Sequence, residues 1–322
     1  MHNKVELYKQ RDFSQVFADS VAFIKRNFKG LLRSLVVIVA PLYVISSIMM
    51  SMFSMKIIDT ASQADTYYGR SRQNAAFDAI FGGNFFLTML LAFVTIVLAI
   101  SVVFGYIKLY GENKENITPA DVWQEIRSRA VRLFFFLLGY SVALFIGFFI
   151  ISFILTFLLV GLSVIPVLGP IIMVCVFLVF MLASVTFITI LLPVVYYEND
   201  SFFDSIGRVV QLLRGSFWQT MAVTFVSAIV VQVLVMIVYQ ALLQSFEVLK
   251  TSTEQVDVST VKTILIIYLT VTPVVLFFGY LFQFSTSGFA YFGLIEKKEY
   301  IGLRKKVEAM NETIDIKPEE QY

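Results

Sequence analysis

The best candidates for acid–base chemistry are three carboxylates, Glu198, Asp200 and Asp204, at the end of a long apolar segment. Paired carboxylates act as general acid and base in many hydrolases. The only histidine, His2, is at the N-terminal end of the sequence, and the only cysteine, Cys175, lies within a long apolar segment. We therefore expect no His/Cys metal site, no Ser-His-Asp triad and no Cys-His pair. The same carboxylates suit helix capping, and no nucleophile accompanies them. We therefore expect a protein that is not an enzyme and has no metal or cofactor, with an enzyme acting on lipids as a third alternative.

Neutral polar side chains within apolar segments are the next candidates. Gln232 and Tyr239 lie seven residues apart on one helix face, and Gln283 and Ser285 lie near the end of the last apolar segment. They are candidates for a polar pocket between helices, but hydrogen bonds between helices are the commoner use of such groups. A second pattern, small residues at every fourth position, favours close helix packing within the chain or between copies; its members are Gly139, Ala143 and Gly147.

The elements that must position these residues are long apolar helices. Of the 322 residues 58% are hydrophobic and 15% are charged, whereas a soluble domain has about 25% charged residues. Five stretches contain no charge at all: 34–55, 79–107, 133–197, 215–246 and 263–295. About 20 apolar residues cross a bilayer, so the 65-residue stretch is long enough to cross twice. The sequence predicts an all-α polytopic membrane bundle with six spans, at about 34–55, 84–107, 133–160, 170–196, 218–246 and 263–291.

The distribution of Lys and Arg predicts the orientation of this bundle. Twenty of the 25 basic residues fall on one side of the six spans and five on the other. The positive-inside rule then predicts that both termini lie in the cytoplasm. The membrane is expected to be the inner, cytoplasmic membrane. Residues 1–30 form a cytoplasmic segment with an amphipathic helix, 31–295 the membrane domain and 296–322 a cytoplasmic tail. For the outer loop at 56–78 the sequence leaves a short helix and an irregular coil open.

An internal repeat is predicted at the three places where the chain approaches the membrane from this side. Asp12, Thr118 and Ser201 each have helix N-cap character, and each is followed three residues later by Gln15, Asp121 or Asp204, the capping-box spacing. Sixteen residues after each cap stands a phenylalanine: Phe28, Phe134 and Phe217. We expect three units, each an amphipathic interfacial helix followed by two spans. Unrelated amphipathic connecting helices are the alternative interpretation.

The segment from the fourth to the fifth span contains a motif, Pro193, Glu198, Asn199, Ser205, Arg208, Gly215, Phe217 and Trp218. It resembles a pattern in a broad group of bacterial six-span proteins, which includes the membrane domain attached to some glycerophosphodiester phosphodiesterases. The resemblance implies a membrane fold and no established activity. The phosphodiesterase chemistry of those relatives belongs to a separate soluble barrel, and only residues 296–322 follow the last predicted span.

Taken together, the sequence favours a non-enzymatic inner-membrane protein that acts as a scaffold or accessory factor in envelope or lipid homeostasis. The alternative is a carrier or permeation pathway for a lipid or a weakly polar solute that uses the Gln232, Tyr239, Gln283 and Ser285 surfaces. Expected partners are a bilayer with anionic inner-leaflet headgroups, and another membrane protein or a second copy of the chain. A net charge of +2 does not favour nucleic acid. Glu198 and Arg208 are predicted to pair at the cytoplasmic surface and to hold the third interfacial helix.

Overall fold

The computed structural model describes residues 5–62, 82–112, 114, 116–161, 168–198, 200–252 and 258–315, and the regular elements in this part of the chain are all helices. In chain order they are α1 (Phe13–Ile38), α2 (Ala40–Ser62), α3 (Gly83–Gly111), α4 (Pro119–Gly161), α5 (Leu168–Tyr197), α6 (Phe202–Leu213), α7 (Phe217–Ser252), α8 (Val258–Glu299) and α9 (Ile301–Asp315). Of the predicted outer loop, 56–62 belongs to α2, while 63–78 lies outside the described residues, as does the predicted turn at 162–167.

Five helices are long and apolar enough to cross a membrane within the described residues. Their apolar parts are Ala40–Ile57, Phe85–Gly111, Pro119–Phe157, Val174–Tyr197 and Phe217–Ser245. The chain is therefore an α-helical, multi-pass membrane protein, as its composition predicts. The sixth predicted span, 263–291, lies inside α8, and its crossing of the membrane stays a prediction.

The first predicted span, 34–55, is divided between two helices. α1 ends at Ile38 and α2 begins at Ala40, directly before Pro41. Proline has no backbone N–H to donate to the preceding turn, so it is tolerated in the first turn of a helix and interrupts a helix interior. The break therefore follows from Pro41, which lies within the predicted span 34–55.

All three predicted caps are present, but the helices that follow them differ. Asp12 forms a complete capping box with Gln15, Thr118 exchanges hydrogen bonds with Asp121, and the Ser201 hydroxyl accepts from the Asp204 amide. α4 then continues without interruption from Pro119 to Gly161, whereas α6 ends at Leu213 and is separate from α7. Only the third of the three segments thus forms a short helix of its own, and the threefold repeat stays a prediction.

The buried core lies at one end of the bundle. The largest fully buried side chains include Phe23 of α1, Phe104 of α3, Tyr196 of α5, and Phe289 and Tyr291 of α8. Elsewhere the apolar helices are mostly uncovered, as in α4, where Phe145 and Phe153 are about two thirds exposed. Exposed apolar surface of this kind is what a lipid environment accommodates. We call the buried end, where Glu6, Glu198, Arg208, Glu299 and Lys306 lie, the charged end of the bundle.

Candidate functional site

An ion-pair cluster around Arg208 is the main polar feature of the charged end. Arg208 Nε lies 2.8 Å from Glu198 Oε2, and its terminal nitrogen bonds the Glu299 carboxylate. Glu198 directly follows α5, Arg208 belongs to α6 and Glu299 ends α8, so one guanidinium joins three elements. Arginine suits this position because its planar group presents several donors in fixed directions. The predicted Glu198–Arg208 pair is present, and the structure adds Glu299.

Glu198 has a second donor from the core. The Tyr291 hydroxyl donates a hydrogen bond of 2.8 Å to Glu198 Oε1, so the two carboxylate oxygens serve different partners. Arg132 of α4 also donates to the Glu198 carbonyl at 3.4 Å. A partly buried carboxylate needs such partners because it has lost most of its contact with water. Each carboxylate oxygen of Glu198 thus has a donor from a different helix, so Glu198 joins α5 to α6 and α8.

The pKa of Arg208 records the same arrangement. Burial alone would lower the pKa, since a low-dielectric environment disfavours the charged form. The hydrogen bonds and negative charges of Glu299 and Glu198 outweigh burial and raise the pKa of Arg208 above its ordinary value. The guanidinium is therefore a permanent cation, suited to holding carboxylates and unsuited to proton transfer.

The N-terminal segment and α9 close over this cluster. The Val5 amide donates to the Tyr110 hydroxyl at 2.9 Å, and Lys306 forms an ion pair of 3.0 Å with Glu6, 300 residues away. The Glu296 carboxylate caps α9 by accepting from the amides of Gly302 and Leu303, at 2.6 and 3.1 Å. Both ends of the described chain are therefore fastened to the same end of the bundle.

Arg11 anchors the N-terminal segment from within. Its side chain is fully buried, forms an ion pair of 2.8 Å with Asp19 and donates to the Leu7 carbonyl at 2.7 Å. The guanidinium also lies over the Phe289 ring, 5.0 Å from its centroid, a distance that allows a cation–π interaction. Burial lowers the pKa of Arg11, and Asp19 opposes that shift by stabilising the charged form.

Between these elements lies a cavity of about 920 Å³. Its lining combines aromatic residues of the core with paired charges: the cluster of Arg208, Glu198 and Glu299 on one wall, Lys108 and Glu112 on another, and α9 above. Lys108 is held by Glu125 at 2.8 Å, and Lys305 lies 5.1 Å over the Tyr8 ring. The pKa of the Tyr8 phenol is raised by burial and by the negative charges of Glu296 and Glu299. Most of the charged groups named at this cavity are thus engaged in ion pairs with neighbouring side chains.

The other members of the predicted motif do not all join this cluster. Pro193 lies inside α5 and Ser205 is fully buried in α6, where its hydroxyl has no hydrogen-bond partner among the described residues. Gly215 has a φ of +77°, which lets the chain turn between α6 and α7. Phe217 begins α7, and the neighbouring Trp218 is 75% exposed. Asn199 lies outside the described residues.

The four residues of the predicted polar pocket fall into two groups. Gln232 and Tyr239 are exposed on α7. Gln283 Oε1 and the Ser285 hydroxyl are buried in α8, and within the described residues neither has a hydrogen-bond partner. The described cavities are not lined by any of the four.

The small residues of α4 approach phenylalanine rings of the same chain. A Cβ at Gly139 would lie 3.2 Å from the Phe202 ring of α6, and one at Gly147 would lie 3.6 Å from the Phe180 ring of α5. Ala143, between them, is exposed. The pattern thus admits aromatic side chains from two neighbouring helices.

Sequence reasoning missed four residues that organise the charged end: Arg11, Tyr291, Glu296 and Glu299. One signal for Glu296 was available, because it ends the last uncharged stretch just as Glu198 ends the third. Tyr291 carries no such signal, since its partner Glu198 is 93 residues away in the chain. Arg11 and Asp19 are only eight residues apart, so their pairing could have been predicted from the sequence.

Of the three carboxylates, Glu198 accepts from Arg208 and Tyr291, whereas the Asp204 carboxylate accepts from the Ser201 hydroxyl at the start of α6. An enzyme acting on lipids stays the third alternative.

The fold and this site define a class, a multi-pass α-helical membrane protein with a closed, charged end. Compared with known proteins, the chain matches no family model, no curated protein sequence and no solved structure. The resemblance to the six-span bacterial group therefore stays a prediction from the motif.

Proposed function

We propose that the protein is a non-enzymatic scaffold or accessory factor of the inner membrane, active in envelope or lipid homeostasis. The proposal includes six spans, a threefold unit and both termini in the cytoplasm. One observation carries it above the others: the charged groups of the site are engaged with one another. Arg208 is shared by two carboxylates, and Glu296 is used to cap α9. Catalytic groups need free capacity and perturbed proton affinity, whereas saturated groups of this kind hold elements in place.

An exposed apolar strip on α9 supports the proposed binding of a protein partner. Leu303, Val307 and Met310 are each about half exposed or more, and their spacing puts them on one helix face. The cavity is lined by other residues of this helix, including Gly302, Lys305 and Lys306, and by none of the three apolar ones. The apolar residues of α9 therefore lie outside the cavity and are exposed, which favours contact with a partner there.

Native mass spectrometry of the full chain, released from membranes in a mild detergent, tests this proposal. We expect a protein partner or a defined oligomer that is lost in a Leu303→Ser/Val307→Ser variant and kept in a Glu308→Gln control. A bare monomer, or an assembly that both variants retain equally, would overturn the proposal.

A second candidate function is a pathway for a lipid or a weakly polar solute. The supporting observation is the pair of buried polar groups in α8, Gln283 Oε1 and the Ser285 hydroxyl, which lack partners among the described residues. Buried polar groups without a partner are costly, so water or a passing ligand would stabilise them. Flux in proteoliposomes should fall in Gln283→Leu and persist in Gln232→Leu, because Gln232 is exposed. Equal flux in both variants would remove this candidate.

A further inference from the structure

A second cavity, remote from the charged cluster, opens between α1, α2 and α8. It has a volume of about 600 Å³, within the range of about 300–1,000 Å³ that ligand sites occupy. Its lining is almost wholly apolar, with Leu32 and Val36 at one end, Tyr43, Ser47, Ile48 and Met52 along α2, and Ile266, Phe277 and Phe278 from α8. No charged residue contributes to the lining. We call this cavity the α2–α8 groove.

The length of the groove along α8 is close to the thickness of one leaflet of a bilayer. Along α8 its lining extends from Ile266 to Phe278, which is about 18 Å at 1.5 Å per residue. Half of the hydrocarbon core measures about 15 Å. One wall is the apolar helix Ala40–Ile57, so the molecules that reach the groove are the hydrocarbon chains of lipids.

Two cations lie where the groove ends near α1. Lys29 and Arg33 precede Leu32 and Val36 by three residues each, so all four share one face of α1. The Phe28 ring stacks on Phe278, a groove residue, at 6.5 Å, which fixes this part of α1 against α8. Lys29 and Arg33 are both exposed, and no ion pair within the described residues engages either of them.

We propose that the α2–α8 groove binds one anionic phospholipid, with its phosphate held by Lys29 and Arg33 and one hydrocarbon chain lying along α2. An apolar groove alone would accept any chain. The two unpaired cations at its end select a negatively charged headgroup, because each basic residue near such a surface adds attraction. Arginine and lysine are also the side chains that bind phosphate most effectively.

The test uses the full chain in nanodiscs that contain equal amounts of phosphatidylglycerol and phosphatidylcholine, followed by native mass spectrometry. We expect one retained phosphatidylglycerol per chain in the native protein. Lys29→Gln/Arg33→Gln should lower this occupancy about tenfold. The matched control, Arg127→Gln/Arg304→Gln, removes two exposed charges elsewhere and should retain the lipid.

A second pair of variants tests the chain-binding part. Ser47→Phe fills the groove and should displace the lipid, whereas Ser54→Phe adds the same ring to α2 outside the lining and should not. Thermal unfolding of each variant tests whether the fold is kept. Equal retention in all variants, or equal retention of both lipids, would overturn the proposal. The lipid-binding proposal does not depend on the scaffold function. Loss of the lipid and loss of a protein partner from α9 are measured separately, so either proposal can fail without the other.

Discussion

The Tyr291 hydroxyl donates to Glu198 Oε1 at 2.8 Å, across 93 residues of chain, while Arg208 occupies the other carboxylate oxygen. This relationship ties the buried core of α8 to the joint between α5 and α6. The members of this cluster share partners, so removing one of them costs each of its neighbours a bond.

Arg208→Gln should destabilise the protein by about 2 kcal/mol, because two partly buried carboxylates lose their charged donor. Thermal unfolding in nanodiscs, followed by tryptophan fluorescence, measures the effect. Arg127→Gln serves as the control, since Arg127 is exposed. If both variants unfolded at the same temperature as the native protein, the ion pairs of Arg208 would contribute nothing to stability.

Tyr291→Phe should cost about 1 kcal/mol, the usual value for one hydrogen bond. Combined with Glu198→Gln in a double-mutant cycle, it should show a coupling energy of at least about 0.5 kcal/mol, because residues in one network are not additive. Unfolding of the two single variants and the double variant gives this number. Strictly additive losses would contradict a direct bond between the two side chains.

Acid should loosen the start of α1. The pKa of Asp12 lies below its ordinary value of 3.8 because the Gln15 amide and then the Ser14 hydroxyl bond the carboxylate. A carboxyl with a lowered folded-state pKa contributes stability above its unfolded-state pKa, and this contribution is lost as the pH falls through the folded-state value.

Hydrogen exchange of the first-turn amides, compared at pH 6 and at pH 3, measures this effect. The comparison variant is Asp12→Asn, which still caps the helix but does not titrate. We expect protection in the native chain, relative to this variant, to fall on acidification. A constant ratio across the pH range would refute the role of the Asp12 charge.

Gly302→Val should separate α9 from the N-terminal segment. A Cβ at Gly302 would lie 2.6 Å from the Tyr8 carbonyl oxygen, closer than real Cβ contacts come. Limited proteolysis should then cleave α9 faster while the apolar helices stay intact. Unchanged cleavage would mean that the two segments are not held together in solution.

Two glycines of the α6 region should respond to alanine in opposite directions. Gly215→Ala should cost about 1 kcal/mol, because its φ of +77° is strained for any residue with a Cβ. Gly207→Ala should stabilise by about 0.5–1 kcal/mol, because Gly207 lies within α6 and a Cβ there meets no atom within 4 Å. The unfolding temperatures of the two variants test this prediction. A shift in the same direction for both would contradict the left-handed turn at Gly215.

Local chemistry made a large part of this protein predictable. Long uncharged stretches predict membrane helices, because a helix satisfies its own backbone hydrogen bonds where the bilayer offers no water. Capping boxes predict where helices start, because the two residues of each box are only three positions apart. The predicted caps at Asp12, Thr118 and Ser201 are all present. The pairing of Glu198 with Arg208 was accessible for the same reason, since only ten residues separate them.

Tertiary structure alone decided which distant groups meet. Glu299 joins Arg208 across 91 residues and Lys306 joins Glu6 across 300, and nothing in the local pattern of either partner specifies the other. The continuity of α4 past Phe134 and the position of the apolar groove also depend on how helices pack. The physical reason is that helix formation and membrane insertion depend on near neighbours, whereas the registration of one helix against another depends on side-chain fit across the whole bundle.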